Sequence, residues 1–322
     1  MEAPDNVTNF ASPPPRKFLW RTALRVVLAL ILLAILLQFV EPDQIVSAFS
    51  NADAGPISAA VLLVIANLGF QVLKWHYLLI ASGARFPFMN VARSLFFGIT
   101  AGTLTPGQIG EFGGRAFHLT TDNPAKIVGL TIVDKLQMLA VMAVGGGISL
   151  MILFDIGLYA SVPILLACAL IVMFLFRPSL LARALEATGL GRVQNKWVVE
   201  FLAVVGSLRR PRTIAVTIAM TVLFYATIWI QLHFLLNAFT AVSFADSFLG
   251  FAAMMFVKSA LPVTFADLGV REIGLVYFMS LRLVPEAASF NAGILLFAIN
   301  VLAPALVGLL FIPRSFSLRN RQ

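Results

Sequence analysis

Long apolar stretches separated by short polar ones dominate the pattern of this chain. A helix needs about 20 mostly apolar residues to cross a hydrocarbon core of roughly 30 Å. Stretches of this kind occur at 22–40, 57–80, 127–153, 158–177, 213–240 and 288–312. The alternation that marks β-strands is absent, so a barrel is excluded. The pattern predicts an all-α fold, a polytopic helical membrane protein with about seven or eight membrane segments.

The composition strengthens this prediction. Hydrophobic residues make up 60% of the 322 residues and charged residues only 12%, whereas a soluble domain carries about 25% charged residues. The net charge of +8 comes from basic residues at the ends of apolar spans, where they set topology. They do not form a stripe with interleaved aromatic residues, so we predict no nucleic-acid partner.

Charge in the loops predicts how the chain is oriented. The loop 41–56 contains acidic residues and no basic one, whereas 74–93, 177–212 and the C-terminal tail are basic. Because basic loops stay in the cytoplasm, both termini are predicted to be cytoplasmic. The first span, 22–40, is interpreted as a retained signal anchor, since no small-x-small cleavage site follows it. The segment 177–212 is expected to form an amphipathic helix on the membrane.

Two apolar segments, 94–110 and 247–284, are interrupted by glycine, proline and charged residues. Broken segments at matching places in two halves indicate a transporter-like site. The first half reads TLTPGQIGEFGGR and the second ALPVTFADLGVRE, and the two glutamates lie about half the chain apart. We predict two related halves, 1–178 and 212–322, joined by a basic linker at 179–211. The sequence leaves open whether the second half is inverted.

Charged side chains inside the bilayer cost about 2.5–3.5 kcal/mol each, so they are paired, hydrated or used. Glu111 and Arg115 are four residues apart and can pair on one helix face. Arg271 and Glu272 are adjacent, which predicts different partners for them. One hypothesis is a cavity near the membrane midplane in which the cations bind an anionic group. When the cavity is empty, the carboxylates pair with the cations instead. The alternative is that these are structural ion pairs.

The predicted binding residues combine the helix-breaking positions with the embedded charges. They are Pro106, Gly107, Gly110, Glu111, Arg115, Asp134, Lys135, Lys258, Pro262, Gly269, Arg271 and Glu272.

Other residue types offer little chemistry. The three histidines are scattered and the single cysteine, Cys168, lies in an apolar run, so we predict no metal site, no disulfide and no cofactor. The triplet 145–147 is three glycines within a span and predicts close helix packing. Gln231, Asn237 and Asn300 are expected to form interhelical hydrogen bonds. No catalytic motif is present, so an enzyme is not expected.

Four short motifs together resemble one family, the flippase-like transmembrane region of bacterial lysylphosphatidylglycerol synthases and its stand-alone relatives. Asp267 stands where such relatives usually have glycine, which adds a charge at that point. The motifs are Lys74-Trp75 with Leu78-Leu79, Pro106 to Glu111 with Arg115, Asp134-Lys135-Leu136, and Leu261-Pro262 with Gly269 to Glu272.

The resemblance implies a flippase or lipid transporter in the bacterial inner (plasma) membrane. Phospholipid, hopanoid and polyprenyl-phosphate conjugates are all candidate substrates. The synthases' soluble domain does not follow in this sequence, so aminoacyl transfer is expected to be absent. A membrane scaffold or accessory subunit of a lipid-modifying enzyme is the alternative, and a polyprenyl-phosphate phosphatase is less favoured. Membrane lipids are the expected partners, and a homo-oligomer or an enzyme partner stays open.

Overall fold

The computed structural model describes residues 47, 50, 52–105, 107–119, 123–177, 180, 196–208, 210–260, 267 and 269–311. Over these residues the fold is all-helical and no strand occurs, which confirms the predicted fold class. The predicted span at 22–40 lies outside the described residues.

Within the described residues, five helices precede the linker. They are α1 (Ala54–Ala81), α2 (Phe88–Thr103), α3 (Gly110–Phe117), α4 (Pro124–Leu153) and α5 (Leu158–Phe176). Local chemistry sets their starts. Asp53 caps α1, since its side chain accepts a hydrogen bond from Gly55 N at 2.9 Å. Asn123 caps α4 in the same way, and Pro124 occupies the first turn, where its missing N–H costs nothing.

The structure describes five further helices, one within the linker and four after it. They are α6 (Lys196–Ser207), α7 (Pro211–Asn237), α8 (Phe244–Ala260), α9 (Val270–Ser280) and α10 (Glu286–Leu309). The last helix contains a π-helical turn at Ala298–Leu302. Within the described ranges, α1, α4, α7 and α10 are long and apolar enough to cross a membrane, which confirms four of the spans predicted from the sequence.

The helices before and after the linker share one order, in which a long helix is followed by two short ones and another long one. This order describes α1 to α4 and again α7 to α10. The two sets run in opposite directions. Asp53 N, at the start of α1, donates to Ala238 O beyond the end of α7 at 2.9 Å. Further along, Gln231 donates to Ala60 O at 2.9 Å. The helices α1 and α7 are therefore antiparallel neighbours.

Each pair of short helices folds into a hairpin that packs against the other set. The α2–α3 hairpin contacts α10, and the α8–α9 hairpin contacts α4. Thr100 Oγ1 donates to Ala305 O at 2.7 Å, and Ser149 Oγ donates to Leu249 O. A Cβ added at Gly146 would lie 3.0 Å from Ala252 O, which confirms that the glycine triplet serves close packing.

The basic linker contains one described helix, α6, which packs against α4. Val204, Val205 and Leu208 on or next to this helix are buried, and a Cβ at Gly129 of α4 would lie 3.2 Å from Val204. The linker is thus attached to α4, the second long helix of the first half. Residues 181–195 lie outside the described part of the chain.

Candidate functional site: a cavity between two helix hairpins

The two hairpin tips meet each other inside the bundle. Backbone in the left-handed region shapes both tips, with φ of 60° at Gly107, 58° at Gln108, 59° at Asp267 and 88° at Gly269. Residues with a Cβ rarely adopt this backbone conformation, yet Gln108 and Asp267 do so. Their side chains also form a hydrogen bond with each other. Gln108 Nε2 donates to Asp267 Oδ2 at 3.0 Å. Both predicted prolines, Pro106 and Pro262, lie outside the described residues.

Glycine is required for the first hairpin to close. A Cβ at Gly110 would lie 2.7 Å from Ala101 C, and one at Gly114 would lie 3.0 Å from Gly98 Cα. The backbone of α3 therefore touches that of α2. Thr105 Oγ1 accepts a hydrogen bond from Gly110 N at 2.6 Å, which satisfies one of the free N–H groups at the start of α3.

Arg115 is the centre of a buried ion cluster behind the first tip. Its Nη1 donates to Asp134 Oδ2 at 2.8 Å, and its Nη2 contacts Glu111 Oε1, which confirms the predicted Glu111–Arg115 pair. Lys74 Nζ lies 2.7 Å from Asp134 Oδ1. The guanidinium also stacks over Trp75, 4.7 Å from the ring centroid, so cation–π attraction supports its position.

The cluster continues across both tips. The second oxygen of Glu111 contacts Lys135 Nζ, which lies 3.3 Å from Gln108 Oε1. Gln108 is hydrogen-bonded to Asp267, and Asp267 Oδ2 lies 3.0 Å from Lys258 Nζ. This chain of contacts joins four cations (Lys74, Arg115, Lys135 and Lys258) to three carboxylates (Glu111, Asp134 and Asp267). The connected set therefore has one formal positive charge in excess.

The expectation that Arg271 and Glu272 reach different partners is wrong. Arg271 Nε donates to Glu272 Oε1 at 3.1 Å, and its Nη2 contacts the same oxygen. Glu272 bends back over the start of α9 because its Oε2 accepts from Gly269 N at 2.7 Å. The long arginine side chain then reaches that carboxylate while lying over the Phe297 ring, 4.9 Å from its centroid. Capping thus overrides the angular separation of adjacent helix positions.

A cavity of about 130 Å³ lies between the hairpins and is lined by Gln108 and by residues of α1 to α4 and α7 to α10. The charged side chains on its wall are Glu111, Lys135, Lys258 and Arg271. The side chains of Lys135 and Lys258 are 28% and 19% exposed, whereas those of Arg271 and Arg115 are 4% and 2% exposed. The two lysines are therefore the most accessible cations of the cavity.

A second cavity of about 370 Å³ shares Gln108, Lys135, Met138, Tyr225 and Lys258 with the first. Its outer wall includes Leu136 and Leu139 of α4. These leucines are 41% and 46% exposed on a helix of membrane-spanning length. The combined space therefore runs from a charged interior to an apolar mouth.

Sequence reasoning missed several polar residues that line the inner cavity, among them Asn67, Gln71 and Tyr225. The signal was present for the first two, because they stand four residues apart in an otherwise apolar span. The expected interhelical hydrogen bonds of Asn300 and Gln231 are confirmed by their bonds to Asn67 and Ala60. The expectation for Asn237 is wrong. This amide caps its own helix end, bonding His233 O and Val242 O.

Spanning helices around two broken hairpins and a charged cavity define the class of this chain, a multi-pass helical membrane protein. The model of one family, described as the lysylphosphatidylglycerol synthase TM region, matches residues 22–308. The chain belongs to that family, which confirms the resemblance drawn from its motifs. A comparison with curated proteins found no match.

Proposed function

We propose that this protein moves an anionic or headgroup-bearing lipid between the leaflets of the bacterial inner membrane. One observation carries the proposal, which is the cavity where the two hairpin tips place Lys135 and Lys258 next to an apolar mouth. Such a space suits a lipid, whose polar head and hydrocarbon tail need different surroundings. The role is transport, with no bond made or broken.

Physical cost explains why a protein is needed for this movement. A charged headgroup taken alone into hydrocarbon meets no partner, and an unpaired charge there costs several kcal/mol or more. Lys135 and Lys258 offer ammonium groups to a phosphate, and the pairs that they make with Glu111 and Asp267 keep them neutralised otherwise. A phosphate can thus exchange with a carboxylate at each lysine.

The proposal includes two related halves, built around α1 to α4 and α7 to α10. Their common helix order and the antiparallel α1 and α7 support it. Matched broken helices that meet at the midplane are the arrangement in which transporters alternate access to a site. Of the predicted binding residues, Glu111, Lys135, Lys258 and Arg271 line the inner cavity and Gly107 lines the outer one.

A leaflet-translocation assay in proteoliposomes tests this function. Fluorescent phosphatidylglycerol and a polyprenyl phosphate are the reporters, and wild type is compared with Lys135→Gln, Lys258→Gln and Lys126→Gln. Lys126 is the matched control because it lies on the same helix as Lys135, donates to Ser82 O at 2.7 Å and lines neither cavity. Losing a charge-assisted contact of about 1.5–3 kcal/mol should slow translocation about tenfold or more.

Thermal unfolding in detergent is measured in parallel for every variant. The proposal is supported if the cavity variants remain folded and lose translocation while the control keeps it. If wild type moves neither reporter, or if activity falls only as far as stability does, the scaffold or accessory-subunit role takes its place.

A further inference from the structure

Besides the charged residues, the inner cavity has a wall of three carboxamides. Asn67, Gln71 and Asn300 all line it. Their side chains form a chain of hydrogen bonds, in which Gln71 Nε2 donates to Asn67 Oδ1 at 3.0 Å and Asn67 Nδ2 donates to Asn300 Oδ1 at 2.7 Å. The bonds fix the orientation of each amide. This wall is therefore a preorganised polar surface and not a set of free side chains.

The chain of amides ends on an unused donor. Asn300 Nδ2 is buried and has no hydrogen-bond partner among the residues that the structure describes. An unsatisfied buried amide costs about 1–3 kcal/mol, so its retention calls for a reason. Asn300 also stands in the π-helical turn Ala298–Leu302, and single π-helical turns within α-helices occur frequently at functional sites. Both observations indicate a missing acceptor in the cavity.

The charged residues around the same cavity carry one positive charge in excess, and the amides are neutral. Glu111 contacts Arg115 and Lys135, and the nearby Asp267 contacts Lys258 and Gln108. A phosphate bound at the two lysines offsets this excess charge, whereas additional ammonium groups on the same headgroup would restore it. A buried cation without a counter-ion is strongly disfavoured.

We infer that the headgroup of the transported lipid is a phosphate that carries an uncharged, hydroxyl-bearing group, and that aminoacylated headgroups are rejected. The phosphate lies at Lys135 and Lys258. The hydroxyls lie against the amides, because a hydroxyl both accepts and donates as carboxamides require. The inference rests on the proposed function and gives it a substrate class. The cavity of about 130 Å³ has room for a small polyol.

Binding measured by calorimetry on the full chain in detergent tests the inference separately from transport. The ligands are dioctanoyl phosphatidylglycerol, dioctanoyl phosphatidic acid, dioctanoyl lysylphosphatidylglycerol and chain-free glycerol 3-phosphate. Phosphatidylglycerol should bind tightest. Lysylphosphatidylglycerol should bind about tenfold or more weakly, because its ammonium groups lack partners. Glycerol 3-phosphate should bind weakly, since it buries no hydrocarbon.

Two substitutions at Asn300 sharpen the test. Asn300→Leu should reduce the affinity for phosphatidylglycerol to that for phosphatidic acid and leave the latter nearly unchanged. Asn300→Asp should shift the preference toward lysylphosphatidylglycerol, since it supplies a carboxylate. Gln231→Leu is the matched control. Gln231 is another mid-span carboxamide with an unpartnered atom, Oε1, among the described residues, but it lines neither cavity.

The outcomes separate the two proposals. Equal binding of both phosphatidylglycerols, equal binding of glycerol 3-phosphate, a uniform loss for all ligands in Asn300→Leu, or no binding at all would overturn the headgroup assignment. Translocation can persist in each of these cases. Conversely, the expected binding preference without any translocation in proteoliposomes would remove the transport function and leave the headgroup assignment standing.

Discussion

The two hairpins begin their second helices with the same residue types and use them differently. In the first hairpin, Glu111 and Arg115 connect α3 to Lys135 and Asp134 of α4, and Asp134 in turn pairs with Lys74 of α1. In the second hairpin, Glu272 caps its own helix at Gly269 and holds its neighbour Arg271. The first cluster is therefore shared among three helices, and the second pair is local to α9.

The comparison shows that similar motifs do not imply similar attachment. Moving the first hairpin requires several buried ion pairs to break, and each leaves a charge in a medium of low dielectric constant. The second tip is attached to the first by the hydrogen bond between Asp267 and Gln108, whereas the contact of Asp267 with Lys258 lies within the second hairpin itself. We expect the second hairpin to be the more easily displaced of the two.

The largest effect is expected from removing the two arginines in turn. Arg115→Met leaves Glu111 and Asp134 without their shared cation and should lower the free energy of unfolding by about 3–5 kcal/mol. Arg271→Met should cost about 1–3 kcal/mol, because Glu272 keeps its bond to Gly269 N at the positive end of α9. Thermal unfolding in detergent ranks the two. Equal losses of unfolding free energy for the two variants would contradict the comparison. The additional variant Arg115→Lys shows how much of the loss at this position comes from removing the charge.

The next effect concerns the backbone contact within the first hairpin. Gly110→Ala forces a methyl group against Ala101 and should destabilise the protein by about 1–3 kcal/mol. Gly113→Ala, in the same short helix, is the control, because a Cβ there meets nothing within 4 Å. It should be neutral or stabilising by up to about 1 kcal/mol, as alanine favours helix over glycine. A comparable loss for both variants would show that α3 does not pack tightly on α2.

A smaller effect is expected at the contact between the tips. Asp267→Asn removes the ion pair with Lys258 but tolerates the left-handed backbone, which asparagine adopts readily. Stability should change by about 1 kcal/mol or less, because Lys258 is partly exposed. The affinity for phosphatidylglycerol should rise, since the cavity gains one positive charge. Calorimetry measures it, and an unchanged or weaker affinity would exclude Lys258 from anion binding.

The smallest effect is expected at the base of the second hairpin. Arg282 Nε contacts Asp246 there, outside the four spanning helices, and Arg282 is 41% exposed. A hydrogen bond from Ser243 and, to a smaller extent, one from Arg282 lower the pKa of Asp246. A lowered pKa means that its stabilisation is present above the unfolded-state pKa and is lost as the pH falls through the folded value. Arg282→Ala should therefore destabilise slightly near neutral pH and not in strong acid, as melting curves at both pH values would show.

The sequence predicted the architecture well because membrane constraints are simple. Apolar length alone located α1, α4, α7 and α10, and the interruptions at Gly110 and Gly269 located the broken helices. The Glu111–Arg115 pair followed from helical spacing. These features depend on local sequence, so local reasoning reached them.

The partners of side chains that are distant in sequence could not be predicted in this way. Asn67 and Asn300 form one polar wall although more than 200 residues separate them, and nothing in either segment indicates the other. The pairing of Arg271 with Glu272 depends on a cap and on Phe297 of another helix. Which lysines remain open to a ligand depends on packing, since Lys74 and Lys135 stand in similar sequence contexts but differ in exposure.

The antiparallel course of α1 and α7 has a consequence for the vectorial behaviour of the protein. Under the proposed function, a lipid arriving from one leaflet would approach one hairpin as a lipid from the other leaflet would approach the second, because the helix order is repeated and α7 runs antiparallel to α1. Such a transporter would favour neither inward nor outward flow. A preferred direction of transport would have to come from the unequal attachment of the two hairpins or from a lipid gradient. Vesicles in which all copies share one orientation would reveal such a preference as unequal forward and reverse rates.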